Sequence, residues 1–223
     1  MHKLVDCVIG EIVKFIKENQ IKFIKIKNVR DRHGNPKKQY KCEDWLTTEL
    51  YFRFHNIFHT IEPEPAPSLE LGKERFDIFI EDDKEHLWIE AKERFNGGDN
   101  QSYLNDGSLI EAICKFIKYN ECKELLFFST YDKPINKIIK NKNDLEKKLK
   151  EKLKDLEEKR KLLECKEIKV EPTEENKNKF IIKITKEGEK EKNIEILLEP
   201  RGEEIKLCNT ETLYLHFYII TKL

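Results

Sequence analysis

Apolar side chains along the chain fall into blocks whose spacing changes from helical to strand-like and back. From residue 4 to 18, Leu4, Val5, Val8, Ile9, Ile12, Val13, Phe15 and Ile16 recur every three to four positions, which predicts an amphipathic helix. Ile21-Lys-Phe-Ile-Lys-Ile-Lys-Asn-Val29 partly alternates and is rich in β-branched residues, so a strand is expected there, followed by a turn at Arg32-His-Gly-Asn-Pro36. Trp45, Leu46, Leu50 and Phe54 predict a second helix from about Glu43 to Asn56. Pro63, Pro65 and Pro67 then forbid helix, and Ile61-Glu-Pro reads as an edge strand. Two strands, Arg75–Glu81 and His86–Lys92, are joined by a short polar turn at Asp82-Asp83-Lys84. Ser108-Leu-Ile-Glu111 is a capping box that opens a helix with Leu109, Ile110, Ile113, Phe116 and Ile117 on one side. Glu124–Thr130 follows as a largely buried strand.

Pro134 can start a long Lys/Glu-rich helix reaching about Glu164, with Leu145, Leu149, Leu156 and Leu163 as an approximate heptad seam. Four further strand signals, Ile168–Glu171, Phe180–Thr185, Ile194–Glu199 and Leu213–Thr221, are separated by polar turns and predict an antiparallel meander. The expected organisation is an N-terminal helix with a basic strand and turn (1–42), a core (43–131), a long charged helix (132–165), and a C-terminal β meander packed on the core (166–223).

Composition narrows the class. Charged residues make up 39% of the 223 positions, against about a quarter in average globular proteins. There is no apolar run long enough for a membrane span, and Met1-His2-Lys3-Leu4 does not open a signal peptide. Cysteines stand at 7, 42, 114, 122, 165 and 208 with no Cys-x-x-Cys pair, so reduced thiols and a cytoplasmic location are expected.

The formal net charge is zero, but the charge is segregated. Residues 14–41 carry ten basic and two acidic side chains. Lys22, Lys25 and Lys27 lie on the expected strand, and Arg30, Arg32, Lys37 and Lys38 surround the turn. This segment is the candidate surface for tracking a DNA backbone; the plain alternative is an edge strand kept soluble by lysines. Residues 133–170 carry fourteen basic and eight acidic side chains. Their leucine seam offers a homodimer interface, the simpler outcome being a stripe packed on its own domain.

The chemistry-bearing stretch is Asp77 followed by Glu90-Ala91-Lys92. Side chains alternate along a strand, so Glu90 and Lys92 share a face and Ala91 points into the opposite layer. A hairpin would bring Asp77 beside Glu90. Two hard carboxylate ligands suit Mg²⁺, which keeps most of its waters. Such an ion lowers the pKa of bound water and stabilises charge on a phosphoryl oxygen, while a nearby Lys can hold the water and the scissile phosphate. The bland reading is a solvated strand face on which Glu90 and Lys92 pair with each other.

Asp77, the hairpin and Glu90-Ala-Lys92, in the order helix–strands–helix–strand, resemble the PD-(D/E)XK nuclease superfamily over about residues 43–131. The resemblance implies an α/β fold: a restriction-endonuclease-like core with a central mixed sheet flanked by helices, here carrying a long helix and C-terminal antiparallel strands. It also implies cleavage of phosphodiester bonds in DNA with Mg²⁺, or Mn²⁺ in its place. Carried over, Asp77 and Glu90 are metal ligands, the Ala91 carbonyl adds a third contact, Lys92 stands beside the attacking water, and Glu49 is the additional acid from the preceding helix. Phe76 departs from the motif, standing where its name has Pro. Within this family a type II-like restriction role comes first and a repair or defence nuclease second. A non-catalytic nucleic-acid-binding module is the reading from a different class.

Overall fold

The computed structural model describes residues 3–27, 42–63, 75–93, 108–119, 121–131, 142–158, 165–174, 176, 179–186, 193–209 and 212–223. A single mixed sheet of eight strands organises them: β1 (Thr60–Pro63), β2 (Ile78–Asp82), β3 (Glu85–Glu93), β4 (Glu124–Tyr131), β5 (Cys165–Pro172), β6 (Phe180–Lys186), β7 (Asn193–Lys206) and β8 (Thr212–Lys222). Their order is β1-β2-β3-β4-β8-β7-β6-β5. Only β3 and β4 run parallel; the other neighbours are antiparallel. The parallel pair needs a crossover, and the helix at Ser108–Lys118 provides it. The C-terminal meander continues this sheet, with β8 hydrogen-bonded along β4.

Among the described residues five helices cover the two faces: α1 (Lys3–Glu18), α2 (Gln20–Lys27), α3 (Cys42–His55), α4 (Ser108–Lys118) and α5 (Lys142–Glu158). Strand alternation sorts the core into two layers. Ile78, Ile80, Leu87, Ile89, Ala91, Leu126 and Phe128 pack under α1, α2 and α3. Trp88, Leu125, Phe127, Tyr218 and Ile220 pack under α4 and α5. α1 contributes the predicted stripe, with Leu4, Val5, Val8, Ile12, Phe15 and Ile16 buried. Arg53 of α3 ties that layer together by pairing with Glu11 and Glu18 of α1, each at 2.7 Å. Among the described residues no helix is long and apolar enough to cross a membrane.

One expected element is different. Residues 20–27 form helix α2, not the predicted strand. Phe23 is fully buried against Phe15 and Trp45, whereas Ile21 is 63% exposed. Adjacent Phe23 and Ile24, rather than an alternating face, therefore pack on this layer. The Asn19 carbonyl accepts from the amides of both Lys22 and Phe23, so the chain stays helical after a one-residue break. Short apolar runs carry this helix/strand ambiguity inherently.

The long helix α5 buries Leu145 and Leu149 of the expected seam. Among its described side chains Leu145, Leu149 and Leu153 are buried, at helical i, i+4 spacing, and they pack into the layer that also holds α4 and β5. The Leu156 side chain, Leu163 and the expected start at Pro134 lie outside what is described.

Candidate functional site

The β2–β3 hairpin turns at Asp83-Lys84, with Asp83 at φ 53°, a left-handed conformation that Asp tolerates. From this turn the ladder runs Asp82↔Glu85 to Ile78↔Ile89. At its open end the Asp77 amide donates to the Ile89 carbonyl at 2.9 Å. The Asp77 side chain then turns in, and its Oδ2 accepts the Ala91 amide at 2.6 Å. Asp77 is thus fixed beside the Glu90-Ala-Lys92 segment, as the hairpin reading required.

Ala91 is buried with Leu87 and Ile89 in the α1–α3 layer. Glu90 and Lys92 consequently lie on the other face, toward α4. There Lys92 Nζ stands 3.5 Å from Glu90 Oε1. A second cation comes from α4: Lys115 Nζ stands 2.8 Å from Glu90 Oε2, and both side chains are only 13% exposed. The Lys115 ammonium also lies 4.1 Å from the centroid of the Phe76 ring, a cation–π contact. Phe76 packs in turn against Trp88 in a tilted arrangement, with ring centroids 5.3 Å apart. Glu90 is therefore a largely buried carboxylate whose charge is balanced by two ammonium groups, as burial of a charge demands.

Strand register extends this polar strip sideways. Lys92 is paired with Ser129 across the parallel β3–β4 ladder, and Ser129 with His216 across β4–β8. Paired residues share a face, so Lys92, Ser129 and His216 form one row on the α4 side, with Ser129 and His216 fully buried. The row lies toward the carboxyl ends of β3 and β4, the usual place for ligand sites around parallel strands.

Glu49 sits elsewhere. Leu46, Leu50 and Phe54 anchor α3 on the α1–α3 face of the sheet. Glu49 accepts a hydrogen bond from Trp45 Nε1 at 3.0 Å and lies 3.7 Å from Lys22 Nζ of α2. It faces α2, on the opposite side of the sheet from the Glu90 carboxylate. Lys22 and Lys25 are exposed on α2, on that same α1–α3 side. The backbone of Lys27 closes α2, whereas Arg30, Arg32, Lys37 and Lys38 lie outside the described residues. A surface cleft lined by Leu4, Cys7, Phe58, Asp82 and Glu85 lies at the turn end of the hairpin, away from Asp77 and Glu90.

Sequence reasoning missed Lys115, Ser129 and His216. Lys115 sits one residue before the buried Phe116 in a helix whose stripe was recognised, and its proximity to β3 depends on how α4 crosses the sheet. Ser129 was visible only as a polar residue in an apolar strand, and His216 as the polar interruption in Leu-Tyr-Leu-His-Phe-Tyr-Ile-Ile.

Among the described residues no group of three or more His, Cys, Asp or Glu is arranged to hold a metal ion. The donor chemistry at Asp77 and Glu90 nevertheless suits a hard cation: two carboxylates, one just before β2 and one on β3, and the Ala91 carbonyl. Mg²⁺ takes one or two protein carboxylates and completes its shell with water. Comparison with protein-family models, curated proteins and solved structures finds no match to this chain.

Proposed function

We propose that this chain is a divalent-metal-dependent DNA endonuclease with a restriction-endonuclease-like core, in the PD-(D/E)XK superfamily, acting in a type II-like restriction role in the cytoplasm. The observation that carries the reading is the Asp77 Oδ2–Ala91 amide hydrogen bond of 2.6 Å, which seats the upstream acid against Glu90-Ala-Lys92. The parallel β3–β4 pair with α4 as its crossover is the scaffold such a motif uses.

Asp77 and Glu90 would hold Mg²⁺ or Mn²⁺, with the Ala91 carbonyl as a third contact. When bound, the ion supplies a more acidic water and positive charge at the phosphoryl oxygen. Lys92, on the same face as Glu90, holds the attacking water and the scissile phosphate by charge-assisted hydrogen bonds. The Lys92–Ser129–His216 row gives that lysine a polar flank in an otherwise apolar layer.

The test is cleavage of duplex DNA by purified protein. Activity should require Mg²⁺ or Mn²⁺ and disappear with EDTA, and cutting that persists in EDTA would overturn the mechanism. Lys92→Ala should abolish cleavage and retain DNA binding; wild-type turnover by that variant removes Lys92 from the site. Repair and defence nucleases share this chemistry and differ in the substrates cut. The two lysines on Glu90 favour a second reading, a non-catalytic nucleic-acid-binding module. Salt-sensitive DNA binding without cleavage in either metal selects it.

A further inference from the structure

We propose that Lys115 is the built-in counter-ion of Glu90 and weakens the hold of this site on a divalent cation. The inference rests on the reading of Glu90 as a cation ligand and adds a residue outside the Asp77/Glu90/Lys92 motif. Lys92 belongs to the same strand as Glu90 and approaches Oε1 at 3.5 Å. Lys115 comes from a different element and sits on Oε2 at 2.8 Å, in full hydrogen-bonding contact. Its ammonium also lies over the Phe76 ring, and the side chain is mostly shielded from water. An octahedral ion binds carboxylate oxygen at about 2.1 Å. An ion on Glu90 would therefore lie within roughly 5 Å of an ammonium that shares the same carboxylate, in surroundings that screen charge poorly.

Two positive groups this close repel, so cation binding requires the Lys115 ammonium to leave Oε2. The affinity of the site is set by the difference between the two partners of Glu90. Removing the charge of Lys115 while keeping a donor should favour the metal, whereas keeping the charge should preserve the competition. Lys115→Gln and Lys115→Arg make that distinction.

The experiment measures Mn²⁺ binding by titration calorimetry on the full chain without DNA, with Glu90→Gln as the control that assigns the site. Lys115→Gln should bind Mn²⁺ about tenfold more tightly or better, and Lys115→Arg as wild type does. Equal or weaker binding by a folded Lys115→Gln overturns the proposal. Acetylation footprinting of the wild type gives a readout independent of any variant. Lys115 should be protected without Mn²⁺ and labelled when it is added, and protection unchanged at saturating Mn²⁺ overturns the proposal. Wild-type protein that binds no Mn²⁺ at Glu90 instead overturns the ligand reading beneath it, so the two failures are distinguishable.

Discussion

Asp77 Oδ2 accepts a hydrogen bond from the Ala91 amide at 2.6 Å and so stands in for a ladder carbonyl at the open end of the β2–β3 hairpin. One carboxylate oxygen thereby has a structural task whatever the other binds. Charge and hydrogen bonding at this residue can be separated, because an amide oxygen still accepts from Ala91 whereas a methyl cannot.

Asp77→Asn should therefore fold with nearly wild-type stability and lose metal-dependent cleavage by about 100-fold or more. Asp77→Ala should lose activity and also about 1–3 kcal/mol of stability, the cost of leaving a buried amide without its acceptor. Urea unfolding alongside a cleavage assay checks both. Full activity in Asp77→Asn would leave the residue with its structural task alone.

Acid should loosen the junction between β7 and α1. Burial alone would raise the pKa of Glu199, but hydrogen bonds from Lys179 and Arg201 outweigh it and hold the carboxyl below its usual range. Lys179 Nζ lies at 2.7 Å and Arg201 Nε at 2.8 Å, and Arg201 reaches on to Asp6 of α1. For a carboxylate with a depressed folded pKa, the stabilisation is fully present above its unfolded value of about 4.3. It is lost as pH falls through the lower folded value. Glu199→Gln should flatten the dependence of unfolding free energy on pH in this acid range, measured by denaturant titration from pH 6 downward. A wild-type slope in the variant would remove Glu199 from the acid response.

Much of this architecture was legible in residue spacing. The hairpin shows in the apolar strands either side of Asp82-Asp83-Lys84, α4 in its capping box, and the meander in four apolar runs separated by polar turns. What escaped depends on tertiary packing. Residues 20–27 alternate in part like a strand, yet Phe23 packs between Phe15 and Trp45 with Ile24 partly buried in the same cluster, and a helix results. Glu49 follows Trp45 by one turn, and its direction was set by which face of α3 the sheet buries. Lys115 meets Glu90 across 25 residues of chain, a contact no local pattern encodes. The Lys92–Ser129–His216 row needs the register of three strands, one of them at the far end of the sequence.

The cysteines should divide by accessibility. Cys7 and Cys208 are exposed, whereas Cys114 and Cys122 are buried. Burial pushes the Cys122 thiol up to about 12, so its reactive thiolate is scarce at neutral pH. Burial and the charges of Glu11 and Asp82 raise the Cys7 thiol as well. Peptide-resolved labelling with a maleimide should modify Cys208 and Cys7 in native protein, and Cys114 and Cys122 only after denaturation. Rapid native labelling of Cys122 would contradict its burial in the α4–α5 layer.

The basic helix α2 should contribute a measurable share of DNA affinity if its lysines follow the phosphate backbone. Its two described lysine side chains have different surroundings. Lys22 stands 3.7 Å from Glu49 and 5.4 Å from the Trp45 ring centroid, so replacing it also disturbs α3. Lys25 is exposed, so its replacement reports more directly on binding. Each phosphate contact steepens the plot of log affinity against log salt by about 0.9 on duplex DNA. Lys25→Gln should therefore lower affinity at 50 mM salt, reduce the slope by about one unit, and leave the unfolding free energy within about 0.5 kcal/mol of wild type. Lys22→Gln should show the same loss of slope together with a change in stability. If Lys25→Gln leaves both affinity and slope unchanged, the lysine belongs to a surface that keeps the helix soluble, and the DNA track runs elsewhere. Because α2 covers the face opposite Glu90, a DNA strand held by both must pass around the edge or end of the sheet. Crosslinks from Lys25 and Lys92 to one bound duplex would place the two contacts relative to each other along it.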